Sequence, residues 1–341
     1  MNYKDAGVDT EKAASFIRNL KPAIEKTFQA VKDGKPTTSI GGFASAFEFP
    51  NSDYEVLSAT DGVGTKIELY RQLQNFNGIG YDLVAMCAND LLCAGGTPAF
   101  FLDYIACGRL EESWYFPVMQ DIAKACEEAN MALIGGETAE HPGLMPSGHF
   151  DLAGFCVGRR FKKNALPKIS QIKAEDVLIG IPSSGLHSNG FSLIRKLLKE
   201  GFLQSFTEKD IQDKILIPTR LYTRLTGILG EDWLLAMAHI TGGGIFENLP
   251  RVLPSGMGAV IEKSLYKSGD IFSILQEHLK QKDLYSTFNM GTGFVIIAKQ
   301  ENADLALNRV QEYYADAEII GYVTSQHGVF ISDSRRNAEN R

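Results

Sequence analysis

Residues 79–94 read Ile-Gly-Tyr-Asp-Leu-Val-Ala-Met-Cys-Ala-Asn-Asp-Leu-Leu-Cys-Ala and stop at Gly95-Gly96. The run predicts a helix that is apolar almost all round, and such a helix has to be enclosed by other elements. Asn89 and Asp90 lie inside it, away from the ends where polar residues cap helices. A buried carboxylate is costly unless it is paired or bound to a metal. Asp90 is therefore a candidate metal ligand. The alternative is a solvent-facing stripe or a cap on a neighbouring element.

The second informative stretch is Thr60-Asp61-Gly62-Val63-Gly64-Thr65-Lys66, which follows a strand expected over 54–60. It combines a carboxylate, two glycines, flanking hydroxyls and a lysine, the groups that a phosphate–metal site uses. It matches neither a Walker A loop nor a dinucleotide fingerprint, because the hydroxyl precedes the lysine and Ile67 stands where a third glycine would be. A tight turn with a solvated Asp and Lys remains the alternative. A third stretch, Ala132-Leu133-Ile134-Gly135-Gly136-Glu137, repeats the order strand, glycines, acid, and makes Glu137 a second metal or phosphate candidate. A hydrophilic acidic loop is the other reading.

Around these stretches the chain alternates helices and strands. A helix is expected from Thr10 to about Val31, kinked at Pro22, then strands at 40–49, 99–106 and 150–158, and a helix over 112–130 with Pro117 in its first turn. Arg159 to Ser170 is basic, contains Pro167 and lacks periodicity, which marks a boundary between domains at 1–165 and 170–341. The second half predicts strand 176–181, then Pro182 to Gly190 leading into helix 191–200. A further helix begins at Pro218, and a third glycine turn, Thr241-Gly242-Gly243-Gly244, enters helix 245–252. Strands at 258–262, 293–298, 317–323 and 328–332 follow, with helices at 270–281 and 302–314. The small hydroxyl and glycine residues of Pro182 to Gly190 before helix 191–200 suit an anion seat, although capping alone also favours Ser and Asn there. Neither half shows a clean βαβ alternation, so the fold class expected is α+β.

Composition narrows the functions. A net charge of −7 argues against a broad footprint for nucleic acid or an anionic membrane. No run approaches about 20 apolar residues, as a spanning helix needs. Five cysteines without a C-x-x-C pair suit reduced, buried thiols in a cytoplasm better than a zinc site.

Taken in order, these stretches resemble the phosphoribosylformylglycinamidine cyclo-ligase (aminoimidazole ribonucleotide synthetase) family. The matching segments are Tyr3 to Asp9 (YKDAGVD), Thr60 to Lys66 (TDGVGTK), Tyr81 to Asp90 (YDLVAMCAND) and Phe100 to Tyr104 (FFLDY). They continue with Leu133 to Glu140 (LIGGETAE), Asp151 to Gly158 (DLAGFCVG), Ser183 to Lys196 (SSGLHSNGFSLIRK), His239 to Arg251 (HITGGGIFENLPR) and Thr287 to Gly293 (TFNMGTG). The chain departs from the family at Ala44, often Gly, and at His141, often Met.

The resemblance implies two mixed α/β domains, with N-terminal domains pairing in a homodimer, and a cytoplasmic enzyme of purine biosynthesis. The implied reaction uses ATP and Mg²⁺ to close formylglycinamidine ribonucleotide to aminoimidazole ribonucleotide. It implies Asp61, Asp90 and Glu137 as Mg²⁺ ligands. Lys4, Asp5, Gly62, Gly64, Thr65, Lys66, Asn89 and Gly136 would serve the nucleotide together with those acids. Ser184, His187, Ser188 and Asn189 would serve the substrate, with Asp61, Asp90, His187 and His239 catalytic. The related selenophosphate synthetases carry a reactive cysteine in an early glycine segment, whereas the first cysteine here is Cys87. A nucleotide-binding protein without catalysis would be signalled by loss of Asp61, Asp90 or Lys66, and all three are present.

Overall fold

The computed structural model describes residues 10–38, 40–267 and 269–332. Its backbone forms two six-stranded sheets, one in each half of the chain. The first comprises β1 (Lys35–Pro36), β2 (Ser45–Glu48), β3 (Tyr54–Gly62), β4 (Thr97–Cys107), β5 (Ala132–Glu140) and β6 (Phe150–Phe161). Their order is β1-β2-β3-β6-β4-β5, antiparallel throughout except for the pair β4 and β5. The second comprises β7 (Val177–Pro182), β8 (Leu234–His239), β9 (Gly258–Ile261), β10 (Thr292–Ala298), β11 (Glu318–Thr324) and β12 (Gly328–Ile331). Its order is β12-β9-β11-β7-β10-β8, and only β9 and β12 run parallel. Mostly antiparallel sheets packed against helices make this the α+β architecture expected.

Helix α1 spans Thr10–Gln29 with Pro22 inside it, and α2 spans Ile67–Gln72. The apolar helix is α3, Ile79–Cys93, and every residue in it is buried except Tyr81 and Asp90. It packs on β3, β4 and β6 of the first sheet and on β8 of the second, so both halves supply its walls. Helix α4 (Glu112–Glu128) lies against it, and Gly80 allows the close crossing, since a Cβ there would come within 2.3 Å of the Ile122 nitrogen. Helix α5 is Phe191–Lys199.

On the first sheet burial alternates along β3 and β6, and the face turned away from α3 and α4 stays open. It presents Val56, Tyr104 and Phe155, with Ile134 on edge strand β5 58% exposed. Strands β8 and β10, by contrast, are buried at every position.

Several segments differ from the sequence-based expectation. Strand β3 continues through Asp61 and Gly62, and Gly64–Lys66 is a 3₁₀ turn leading into α2, so the heptad is a strand end plus a helix start. Gly135 and Gly136 continue β5 rather than turn it, pairing with Leu102 and Asp103. A Cβ at Gly136 would lie 2.3 Å from an Asp103 carboxylate oxygen, so this glycine makes room for a side chain. The strand expected at 40–49 is confined to Ser45–Glu48, and Pro117 lies in the second turn of α4. The helix expected from Pro218 is a 3₁₀ segment at Thr223–Ile228, because side chains of α3 claim the preceding backbone. The helix expected at 270–281 is Ile271–Leu275, with Gln281–Tyr285 separate.

Candidate functional site

The end of β3, the C-terminal part of α3 and the end of β8 meet where the two halves join. Asp61 reaches this junction from β3, and its Oδ1 accepts the Gly62 amide at 2.7 Å. Asp90 points into the same region with its side chain 19% exposed. The fully buried His239 places Nδ1 2.9 Å from Asp90 Oδ1. Burial, and then the nearby charge of Asp90, push the Asp61 carboxyl up to about 6, with the Gly62 amide and His239 opposing. Asp61 is thus a buried carboxylate within reach of the charge of a second acid. The sequence brings these three residues together from positions up to 178 apart (239 − 61).

His187 sits one layer deeper. It is fully buried, takes a left-handed backbone with φ of 60°, and its ring centroid is 6.1 Å from that of His239. Its Nε2 accepts the Ser184 amide at 3.4 Å, which leaves the proton of the neutral ring on Nδ1. Burial, followed by the charges of His239, Lys66 and Arg220, holds the ring well below the usual histidine range. Its Nδ1 is buried and meets no hydrogen-bond partner among the described residues.

In front of this layer a cavity of about 450 Å³ separates the halves. Asp61, Gly62, Gly64 and Thr65 line one side and Ser188, Asn189 and Gly190 the other. Thr65 and Ser192 touch across it through their hydroxyls at 3.0 Å. Gly190 has φ of 81°, and the Phe288 ring lies 2.1 Å from where a Cβ would be, so α5 starts at a position that only glycine fills without displacement. Ser188 bonds Thr219 through hydroxyls at 3.0 Å, and Ser184 donates to the Pro218 carbonyl at 2.6 Å. The Asn189 Nδ2 is buried and unpartnered among the described residues.

Other residues singled out from the sequence lie elsewhere or are engaged. Lys66 is fully buried, and its ammonium reaches Asp82 at 2.8–2.9 Å and the carbonyls of His187 and Ile217, each at 2.8 Å. Three acceptors use its three N–H groups, so in this structure it ties the halves together instead of facing phosphate. Asn89 is likewise a clamp. It accepts the Tyr222 amide at 2.8 Å and donates to the Arg220 carbonyl at 2.9 Å, leaving its amide little for a nucleotide.

Glu137 is exposed on β5, opposite Tyr104, and Gly136 is beside it. Among the described residues no three His, Cys, Asp or Glu side chains are grouped to hold a metal. Lys4 and Asp5 lie outside the described residues.

Asp82 belongs with Lys66 and Asn89, although nothing in its local spacing marks it for this role. It is fully buried on α3 and takes, besides Lys66, the Thr219 amide at 2.8 Å and the Thr219 hydroxyl at 2.6 Å. The available signal, a second carboxylate inside an apolar helix, says only that it needs a partner.

All five cysteines are free and buried. No helix among the described residues is long and apolar enough to cross a membrane.

Comparison with known proteins gives a consistent pattern. The model of AIR synthase related protein, N-terminal domain, matches residues 42–160, and that of AIR synthase related protein, C-terminal domain, matches 173–334. The chain is 44% identical to the phosphoribosylformylglycinamidine cyclo-ligase of Nitrosococcus oceani, over all of this chain and 95% of the relative. It is 41% identical to the protein of the same name from Oceanobacillus iheyensis, over 97% of this chain and 98% of the relative. Among solved structures it resembles AaThiL complexed with AMPPCP and TMP, with a TM-score of 0.63 and 17% identity over 93% of this chain and 92% of that one. At that identity the structural likeness speaks to fold alone.

Proposed function

The chain belongs to the AIR synthase family, and on that premise we propose that it closes formylglycinamidine ribonucleotide to aminoimidazole ribonucleotide with ATP. The observation that carries this reading is identity above 40% over essentially the full length to proteins named for that cyclo-ligase. The catalytic difficulty is that a formamide carbonyl is a poor electrophile whose oxygen leaves badly. Transfer of the γ-phosphoryl group to the formyl oxygen makes that oxygen a good leaving group. The amidine nitrogen of the same molecule then attacks the formyl carbon, a proton is lost from that nitrogen, and phosphate departs carrying the oxygen. Bringing the reacting atoms together and neutralising spreading charge are the protein's main tasks.

In this reading the transferring phosphoryl group occupies the cavity between Asp61–Thr65 and the start of α5. Gly62, Gly64, Ser188, Asn189 and Gly190 border its path. In this reading Asp61 and Asp90 are the Mg²⁺ ligands: both carboxylates reach the junction of the halves, and the charge of Asp90 acts on Asp61. Bound there, Mg²⁺ would supply charge neutralisation for the nucleotide and complete its shell with phosphate oxygens and water. His239 orients Asp90 through the 2.9 Å contact. The neutral His187 keeps a buried Nδ1 proton, unpartnered among the described residues, one layer behind the cleft, its ring held by the Ser184 amide. We further take residues 1–165 and 170–341 as two domains and the open face of the first sheet as the homodimer contact of a cytoplasmic enzyme. The support is its exposed Val56, Tyr104, Ile134 and Phe155.

The experiment is a turnover assay with purified protein, ATP and formylglycinamidine ribonucleotide. ADP release that depends on the ribonucleotide and yields an aminoimidazole product supports the reading. ADP release with thiamine monophosphate in its place would move the chain to a sister activity.

A further inference from the structure

A second cavity, of about 380 Å³, opens at the junction of the halves beyond the C-terminal end of α3. Thr37, Phe43, Cys93, Arg160 and Arg251 are among the residues that line it. Arg160 is only 6% exposed and is fixed by two contacts, Nε to Glu55 at 2.7 Å and a terminal nitrogen to the Ala94 carbonyl at 2.6 Å. The second oxygen of Glu55 takes the Thr37 hydroxyl. Glu55 therefore cancels the charge of Arg160, and the net positive charge of the cavity comes from Arg251. That guanidinium lies 5.3 Å from the centroid of the Phe43 ring, and among the described residues it forms no ion pair. A planar guanidinium steadied on an aromatic face keeps its edge free for a bidentate anion.

The cavity is close to the chemistry. Cys93 follows Asp90 by three residues on α3, about 4.5 Å of axial rise. The charges of Asp90 and Arg251 both reach the Cys93 thiol, with opposite effects.

The two cavities also differ in what they can neutralise. The first is lined by Asp61 and Asp151 and, among the described residues, by no lysine or arginine, so a polyphosphate entering it has to bring its own cation. The second offers one uncompensated cation, Arg251, beside the rigid Arg160–Glu55 pair, and suits a phosphate monoester without a metal.

We propose that the cavity between Arg160 and Arg251 seats the ribose 5′-phosphate of the ribonucleotide substrate, with Arg251 making the charged contact. The Arg160–Glu55 pair forms its rigid wall. This inference rests on the ring-closure reading above and adds the site of substrate recognition to it.

The test is steady-state kinetics of Arg251→Ala with formylglycinamidine ribonucleotide and with the riboside that lacks its phosphate. Arg251 is exposed, so its replacement leaves the core intact, which circular dichroism checks. The expected result is a rise of about 10- to 100-fold in KM for the ribonucleotide, the usual scale of a charged hydrogen-bonded contact. KM for ATP and kcat stay near wild type, Arg251→Lys recovers part of the loss, and the two proteins handle the riboside alike. An unchanged KM for the ribonucleotide, or an equal penalty on the riboside, overturns the proposal. So does transfer of the phosphate-dependent loss to Asn189→Ala, which would put the phosphate at α5. If the wild type does not turn over the ribonucleotide at all, the ring-closure reading fails and takes this inference with it.

Discussion

Asp90 is one of two α3 residues left unburied, and its partner His239 arrives from a strand in the other half. The prediction at this scale is that Asp90→Asn abolishes turnover while the melting transition and circular dichroism stay near wild type. Turnover close to wild type would remove its proposed metal role. His187 gives a second prediction, with a sign. Its folded pKa lies below the unfolded value, so as pH falls through about 6.5 the unfolded chain gains a proton that the native state refuses. Stability should then fall with decreasing pH by up to about 1.4 kcal/mol per unit from this residue. His187→Asn, which tolerates φ of 60°, should lack that component in urea titrations at pH 7 and pH 5. Asp61 and Asp90 stood out in the sequence because acids in glycine turns and apolar helices need a reason. Lys66 misled because its role depends on Asp82, 16 residues away, and on carbonyls 121 and 151 residues away, none of which local spacing reveals.

At the scale of elements, α3 organises the molecule by lying between the two sheets and projecting Asp82 and Asn89 into the backbone of 219–222. Those hydrogen bonds explain why the segment after Pro218 is not a helix there. Removing one partner of a buried ion pair strands the other, and Lys66→Met is predicted to cost about 3–5 kcal/mol in chemical denaturation. A variant of wild-type stability that has lost ATP affinity would instead restore Lys66 as a phosphate ligand. The helix itself was legible, because apolar residues on every side leave a helix no other place than an interior. The continuation of β5 past Ile134 was not, because glycines normally end strands, and only the Asp103 carboxylate packed over Gly136 shows why they continue this one.

At the scale of the whole molecule, helices and strands mixed without a clean βαβ alternation pointed to the α+β class, while sheet order and the crossing of α3 into both halves depend on contacts far apart in sequence. The open face of the first sheet exposes Val56, Tyr104, Ile134 and Phe155. If it is the proposed homodimer contact, Ile134→Glu on the exposed edge strand should shift the protein toward monomer in sedimentation velocity and leave the fold intact. An unaltered dimer would place the contact elsewhere.

The central claim is that the cleft between the halves phosphorylates the formyl oxygen before the ring closes. The direct measurement uses formylglycinamidine ribonucleotide with ¹⁸O in its formyl group and follows the label by mass spectrometry. The prediction is one ¹⁸O in the inorganic phosphate for each aminoimidazole ribonucleotide formed. Label released to water, with unlabelled phosphate, would contradict it.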